Sequence, residues 1–394
     1  GLDHQHELSA LDISSQSSNI VFLSTLGDGI YKSENGGDAW SKVNQGLETL
    51  NINLVAIAPD SADVVFAAGT RSGLYKTENS GASWEQVIAG ETKITAIAFD
   101  SAQQDKITIG DDRGNLFFSS DRGTSWEQFA TLKNTGAIKA LAISPNFTSD
   151  RTFWVGTERG GIWQTVNGGV SFSQVNNGIG DFSIVSLAIS PNYQTDSTIL
   201  ATTWHEGVFC SNDGGNNWKK SSKGLTQDDQ ADRPNFNRPH FSNLSISPTY
   251  SWDRTVFVAG FDGLFKSTDG GSVWREVNTL SSNIIVGLGL SPDYQHDSTL
   301  AVTTYLGGAY ISHDGGVTWS TVNKGLEKDN FLKRTLKRIL QDDYVARLFS
   351  IKFSPNYSQD STIFSPSWTH FLKSTTRGQQ WQKIPLTNEP GPLS

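Results

Sequence analysis

Eight times along this chain the same short phrase returns, built on Ser/Thr-x-Asp/Asn-x-Gly-x-x-Trp. The copies run Ser33–Trp40, Thr77–Trp84, Ser119–Trp126, Thr165–Phe172, Ser211–Trp218, Ser267–Trp274, Ser312–Trp319 and Ser374–Trp381. Successive copies start 42 to 62 residues apart. A period of that size means one supersecondary unit reused, so the fold has to follow from the unit and its stacking. This overrides the two or three domains that 394 residues alone suggest.

Around each copy stand four short apolar phrases in constant order. In the second unit they are Leu54-Val-Ala-Ile-Ala, Val64-Val-Phe-Ala-Ala, Gly73-Leu-Tyr-Lys and Trp84-Glu-Gln-Val. In the sixth they are Phe241-Ser-Asn-Leu-Ser-Ile, Thr255-Val-Phe-Val-Ala, Gly263-Leu-Phe-Lys and Trp274-Arg-Glu-Val. Runs of four to seven residues, rich in Val, Ile, Phe and Tyr and bounded by Gly, Asp and Ser, read as strands of an antiparallel meander. A four-stranded sheet with two apolar faces needs a neighbour on each. Radial repetition supplies both and shields the edges.

The expected fold is therefore all-β, a single eight-bladed β-propeller, with a seven-bladed ring as the alternative. The blades fall at about 8–45, 52–88, 93–130, 137–175, 183–220, 241–278, 283–323 and 348–385, with insertions at 221–240 and 324–347.

The repeated phrase has a mechanical reading. Its Asp or Asn can accept hydrogen bonds from nearby amides and stabilise the turn between third and fourth strands. The Gly at its fifth position supplies a positive φ, and the closing Trp or Phe anchors the hairpin by burial. Asn35, Asn79, Asn167 and Thr376 stand in for Asp, so the role is hydrogen bonding and not ionic chemistry.

Composition excludes more than it selects. A net charge of −9 offers no basic surface for nucleic acid. One cysteine, Cys210, rules out an internal disulfide framework and a cysteine-ligated metal, and its apolar setting reads as a buried structural thiol. No apolar run reaches the roughly 18 residues of a membrane span. The chain starts at Gly1 without a visible signal peptide, as a trimmed form whose targeting segment has gone would. The His residues lack metal-ligand spacing and the acids lack the pattern of a calcium loop, so no metal and no cofactor are expected.

The repeated phrases, such as Ser267-Thr-Asp-Gly-Gly-Ser-Val-Trp274, resemble the Asp-box or bacterial neuraminidase repeat along essentially the whole chain. That repeat occurs in sialidases, xyloglucanases, sortilin-type receptors and photosystem II stability/assembly factor-like proteins, so the resemblance implies a propeller and leaves activity open. A second phrase, Ser144-Pro-Asn-Phe-Thr-Ser-Asp-Arg-Thr152, recurs at Ser190–Thr198, Ser247–Thr255, Ser291–Thr299 and Ser354–Thr362. It joins first and second strands in units four to eight, with Pro and Asp as turn formers. The combination resembles exported bacterial propellers, which implies an extracytoplasmic location.

The arginine triad, Tyr–Glu nucleophile pair and Arg-Ile-Pro phrase of sialidases are missing, and one propeller cannot form the two-propeller cleft of the related xyloglucanases. No phrase marks the paired carboxyls of a glycosidase, so no catalytic residue is assigned. Alternate connections of a meander fall on opposite faces. The boxes and Ser-Pro phrases share one, and the second-to-third-strand turns and between-blade links share the other, here called the upper face.

Six residues before each box stand Gly27, Arg71, Arg113, Arg159, His205, Phe261, Leu306 and Trp368. This register predicts a cationic arc followed by an apolar one, enlarged by Trp204 and Tyr305 one place earlier in their turns. Asp112 and Glu158 are potential neighbours that would instead tie the arginines down. Exposed aromatics beside Arg have the composition of protein-binding hot spots, and photosystem assembly factor-like propellers use an arginine patch that this arc resembles in kind.

The link at 221–240 reads as an irregular loop. That at 324–347 reads as a helix capped by Asp329, with Phe331, Leu332, Leu336, Ile339 and Leu340 on one stripe and Lys333, Arg334, Lys337 and Arg338 opposite. The expectation is a non-enzymatic protein-binding or assembly scaffold contacting its partner through Arg71, Arg113, Arg159, His205, Trp204, Phe261, Tyr305 and Trp368. The alternative is a carbohydrate-active protein, glycosidase or lectin, using Trp204, Glu206, Asp262 and Trp368.

Overall fold

The computed structural model describes residues 7–100, 103–225, 240–277, 280, 284–305, 307–326, 348–367 and 370–386. Eight four-stranded antiparallel sheets follow one another along the chain, each with its strands paired in sequence order. This is an all-β eight-bladed propeller; the eight-blade expectation is borne out and the seven-blade alternative falls. The blades span 7–42, 52–88, 94–131, 138–174, 184–220, 241–276, 285–321 and 352–384. By internal packing the chain forms two compact units. One comprises 1–93, 289–293 and 297–394, and the other 94–288 and 294–296.

The second strand of each blade is the most apolar phrase of its unit, and it is buried on both faces. Val65–Gly69, Phe153–Thr157 and Val256–Gly260 are examples, each residue buried. Such two-sided burial is why these strands are continuous in Val, Phe and Ala and do not alternate. Several fourth strands are only two residues long and exposed, as in Ser41–Lys42 and Lys219–Lys220. In these blades that keeps the edge brief and lysine-bearing, which discourages pairing with another chain.

Within the first unit blade 8 packs on blade 1 without exchanging a strand. Phe371 meets Trp40 edge-on at a centroid distance of 4.7 Å, and both join Leu8, Leu11, Val21, Leu23, Phe364 and Ile384 in one cluster. Lys373 Nζ reaches Asp38 at 2.6 Å above it.

The boxes are built by local hydrogen bonds. In all eight the first hydroxyl accepts the amide of the fifth-position Gly at 2.7–3.0 Å. The third residue accepts the amide of the seventh at 2.8–3.0 Å, with the Thr376 hydroxyl replacing the carboxyl or amide in the last copy. The fifth-position Gly has a φ between 78° and 96° in every copy, which only glycine adopts without strain.

The closing Trp then finds one of two partners. Trp40, Trp126 and Trp319 donate Nε1–H to their own box Gly. Trp84, Trp218, Trp274 and Trp381 donate instead to the preceding blade, at Val43, Val175, Ser221 and Val322.

The Ser-Pro phrases are more than turns. Each contains a single helical turn: Phe147–Asp150, Tyr193–Asp196, Tyr250–Asp253, Tyr294–Asp297 and Tyr357–Asp360. The phrase's Ser hydroxyl donates to the closing Asp at 2.5–2.7 Å, and that Asp accepts the amide of the terminal Thr at 2.8–2.9 Å. Most of the 221–240 link and nearly all of the 324–347 link, including the expected helix, lie outside the described residues.

Candidate functional site

The residues six before each box stand in the second-to-third-strand turns, as the register requires. Arg71 lies between Val65–Gly69 and Leu74–Thr77, and Arg113 between Ile107–Asp111 and Asn115–Ser119. Arg159, His205 and Phe261 occupy the corresponding turns of blades 4, 5 and 6. These turns are fastened to the between-blade links by main-chain hydrogen bonds. Thr70 N bonds to Asn51 O at 3.1 Å, Arg159 N to Thr135 O at 2.8 Å, Trp204 N to Ser183 O at 2.9 Å and Phe261 N to His240 O at 3.0 Å. On the opposite side box amides bond to the Ser-Pro phrases, as Gly168 N does to Arg151 O and Gly270 N to Arg254 O, both at 2.9 Å.

Arg71, Arg113 and Arg159 are exposed. Arg159 Nε lies 3.7 Å from Glu158, a loose pair between two solvated groups that contributes little. Among the described residues neither Arg71 nor Arg113 makes a side-chain ion pair, with Asp112 or any other acid. Tyr305 is half-buried in the blade 7 turn. Trp368 and Leu306 lie outside the described residues.

In the second unit the turns of blades 5 and 6 and the links beside them converge on one patch. Thr203 Oγ1 accepts the Glu206 amide at 3.1 Å and shapes a tight turn, which lifts Trp204 and His205 outward. Trp204 remains 45% exposed and Phe261 57% exposed. The Trp204 indole stands edge-on to His240, 5.5 Å between centroids, and His240 is in turn anchored by its amide to Asp262 at 2.5 Å.

Two histidine–aspartate pairs result. His205 Nδ1 lies 3.3 Å from Asp181, which also accepts the His205 amide at 2.6 Å; His240 Nδ1 lies 3.9 Å from Asp262. Burial raises the Asp262 carboxyl above the usual carboxylate range, against the opposing pull of the His240 amide and ring. Phe182, 46% exposed, extends the patch from the blade 4–5 link, where its carbonyl holds the Gly161 amide.

The register therefore found Trp204, His205 and Phe261, which the fold brings together in one unit, with Arg159 in the adjoining blade 4 and Arg113 in blade 3. It missed Asp181, Phe182 and His240, because they come from between-blade links whose lengths vary and which carry no repeat position. Their one signal was the Asp-Phe-Ser and Pro-His-Phe phrases directly before first strands. Glu206, offered as a sugar-binding acid, lies 3.8 Å from Lys220. Cys210 is half-buried, and burial, with Asp196 adding to it, pushes its thiol up to about 11. Among the described residues no three His, Cys, Asp or Glu side chains are placed to hold a metal ion. No helix there is long and apolar enough to cross a membrane.

Fold and boxes together define an Asp-box-type β-propeller, as the repeated phrases implied. Residues 28–131 match the family model Sortilin-Vps10, described as sortilin, neurotensin receptor 3. No curated protein sequence matches the chain.

Among solved structures, a GH74 xyloglucanase from Xanthomonas campestris is similar at 15% identity and a TM-score of 0.56, over 95% of this chain and 54% of that one. YCF48 from Cyanidioschyzon merolae is similar at 15% identity and 0.52, over 95% and 96%. The computationally designed Ika8 protein is similar at 13% identity and 0.59, over 94% and 96%. The chain spans 54 to 65% of the length of the GH74 structures it matches. At such identities the likeness is one of fold alone.

Proposed function

We propose that this chain is a non-enzymatic protein-binding or assembly scaffold that receives its partner on the upper face. The observation that carries the reading is the patch of Trp204, Phe261 and Phe182, large aromatics left about half exposed on turns pinned by main-chain hydrogen bonds. Leaving such surface in water is unfavourable, and a rigid turn loses little entropy when it is covered. His205 in the patch and Arg159 and Arg113 in the turns of blades 4 and 3 would meet acidic groups, with Arg71 and Tyr305 in the equivalent turns of the other unit and Trp368 as a further aromatic. The proposal includes an extracytoplasmic location, which fractionation of the source cells tests.

Capture of a partner from native envelope extract by immobilised protein tests the reading. Arg71, Arg113 and Arg159 changed together to Glu should abolish capture while the melting temperature moves by no more than about 2 °C, since surface changes of this kind cost little. Trp204→Ala with Phe261→Ala should do the same. Capture that survives both variants sinks the proposal.

A carbohydrate-active reading is favoured by one feature: Glu206 and Asp262 occupy equivalent turns of adjacent blades beside Trp204, and burial raises Asp262 as a general acid needs. Turnover of aryl glycosides that disappears in Glu206→Gln would establish it; a silent panel of glycosides and polysaccharides would remove it.

A further inference from the structure

On the box face of the second unit, adjoining blades are sealed by aromatic plugs. Trp154, in the second strand of blade 4, lies edge-on to Tyr193 of blade 5 at 5.0 Å and 73°. Its Nε1–H donates to the Gly214 carbonyl at 3.2 Å, and Gln164 Nε2 donates to the same oxygen at 2.9 Å. Between blades 6 and 7, Phe257 meets Tyr294 in the same manner at 6.4 Å and 87°.

The seam between blades 5 and 6 has the same frame and lacks the plug. Leu200 takes the place of Trp154: it is the nearest neighbour of box Gly271, as the Trp154 indole is of box Gly215. Cys210 takes the place of Gln164, each directly before its box hydroxyl, and Tyr250 takes that of Tyr193.

A cavity of about 750 Å³ opens at this seam, lined among others by Cys210, in the place of Gln164, and by Asn212, Lys219, Tyr250, Arg254 and Gly270. The Gly270 carbonyl, whose counterpart receives two N–H donors, has among the described residues only the Cys210 thiol at 4.0 Å.

The charges of the cavity point the same way. Its two carboxylates each already accept hydrogen bonds from the fold. Asp196 accepts the Ser190 hydroxyl at 2.7 Å and the Thr198 amide at 2.9 Å, and Asp269 the Ser267 hydroxyl at 2.7 Å and the Val273 amide at 2.9 Å. Its cations keep capacity. Lys219 makes no ion pair among the described residues, and Arg254 lies 5.3 Å above the Tyr250 ring, hydrogen-bonds to Tyr250 and approaches Asp196 at 3.8 Å. An aromatic floor, an unanswered acceptor on one wall and available cations on another describe a ligand by its chemistry.

We propose that this seam binds a small aromatic acid carrying a ring N–H, of the indole carboxylate class. The ring lies in the cavity against Tyr250, the N–H donates to Gly270 O, and the carboxylate meets Arg254 and Lys219. The site is independent of the upper-face patch.

Equilibrium dialysis with indole-3-acetate as probe should give saturable binding of one molecule per chain. Benzofuran-3-acetate, with oxygen in place of the N–H, should bind about tenfold more weakly, because it leaves the carbonyl unanswered. Lys219→Ala with Arg254→Gln should weaken binding by at least about tenfold. Leu200→Trp with Cys210→Gln rebuilds the blade 4–5 plug and should abolish binding. Bound probe should also slow alkylation of Cys210, the sole cysteine.

The comparison between the two probes needs no variant, so it stands even where the double substitution fails to fold. Absence of saturable binding in the millimolar range, equal affinity for the benzofuran, or unchanged binding in a folded plug variant would each overturn the proposal.

Discussion

Gly46→Ala tests how the blades are joined, because the glycine is squeezed between its own turn and the next blade. Gly46 has a φ of 91°, and a Cβ built there would sit 2.1 Å from the Trp84 carbonyl oxygen, a main-chain atom that cannot rotate away. Gly90 is a matched control in the same unit, with a φ of 97° and nothing within 4 Å.

Both substitutions carry the conformational cost of a left-handed alanine, about 1–2 kcal/mol. Only Gly46→Ala adds the clash. Relieving it means parting the Gln45–Trp84 main-chain hydrogen bond of 2.8 Å and displacing Trp84, whose Nε1–H is held by Val43 O at 2.6 Å. Overpacking of this kind costs about 1–3 kcal/mol, and the strained hydrogen bonds roughly 1 kcal/mol more.

The expected losses are therefore about 3–6 kcal/mol for Gly46→Ala and about 1–2 kcal/mol for Gly90→Ala. Urea denaturation followed by tryptophan fluorescence and circular dichroism gives both from the midpoint at constant m. Equal losses at the two positions would refute the idea that the glycine is there for close approach. Gly178, Gly224 and Gly325 stand in the same relation to Trp218, Trp274 and Trp381, and their alanine variants should repeat the result.

The box acids should shape the acid limb of stability. The Ser125 hydroxyl and amide hold the Asp121 carboxyl down at about 2; for Asp314 burial pulls upward, but the Thr318 hydroxyl and amide outweigh it, again to about 2. Both lie below the ordinary 3.8, so their contribution is complete above that pH and is lost as pH falls toward 2. Urea midpoints measured from pH 7 to 2.5 should drop in this window, less steeply in Asp314→Asn. A flat wild-type profile would exclude the effect.

Blade 8 should hold blade 1 through apolar contact and not charge. Phe371→Ala is expected to cost about 3–5 kcal/mol by thermal unfolding, whereas Lys373→Met should cost within about 1 kcal/mol because Asp38 is 57% exposed and rehydrates; the reverse order would contradict this. With its thiol near 11, Cys210 should react with iodoacetamide about tenfold faster per pH unit from 7 to 9 without levelling, and a plateau by pH 9 would show a lower value.

The boxes were readable from sequence because the hydroxyl and carboxyl or amide hydrogen bonds that close their turns lie within eight residues. Ser33, Asn35 and Gly37 hydrogen-bond to one another and to Ala39 within their own turn, and the Asn and Thr replacements already said that an acceptor, not a charge, was needed. The upper-face turns were readable for a related reason: box and turn are ends of one short strand, so counting six residues back is a rigid measurement.

The Ser-Pro phrases were half readable. Their Ser and Asp stand six apart in each copy, yet the bond that closes the helical turn between them, such as Ser144 Oγ to Asp150 at 2.5 Å, is visible only once folded. Gly46, Gly178, Gly224 and Gly325 were overlooked although each precedes Leu or Ile in a like phrase, because their constraint lies in the following blade.

By itself the sequence determined the unit: strand phrases, box turns and their number depend on neighbours along the chain, and eight repetitions make them unmistakable. The tertiary structure alone decided what happens where units meet. It brought His240 to Trp204, set Asp181 against His205, and left the Gly270 carbonyl, among the described residues, with only the distant Cys210 thiol where Trp154 and Gln164 both reach Gly214. Such contacts depend on side-chain size and reach across residues 24 to 60 apart in the chain, and no local pattern encodes a distance between two blades.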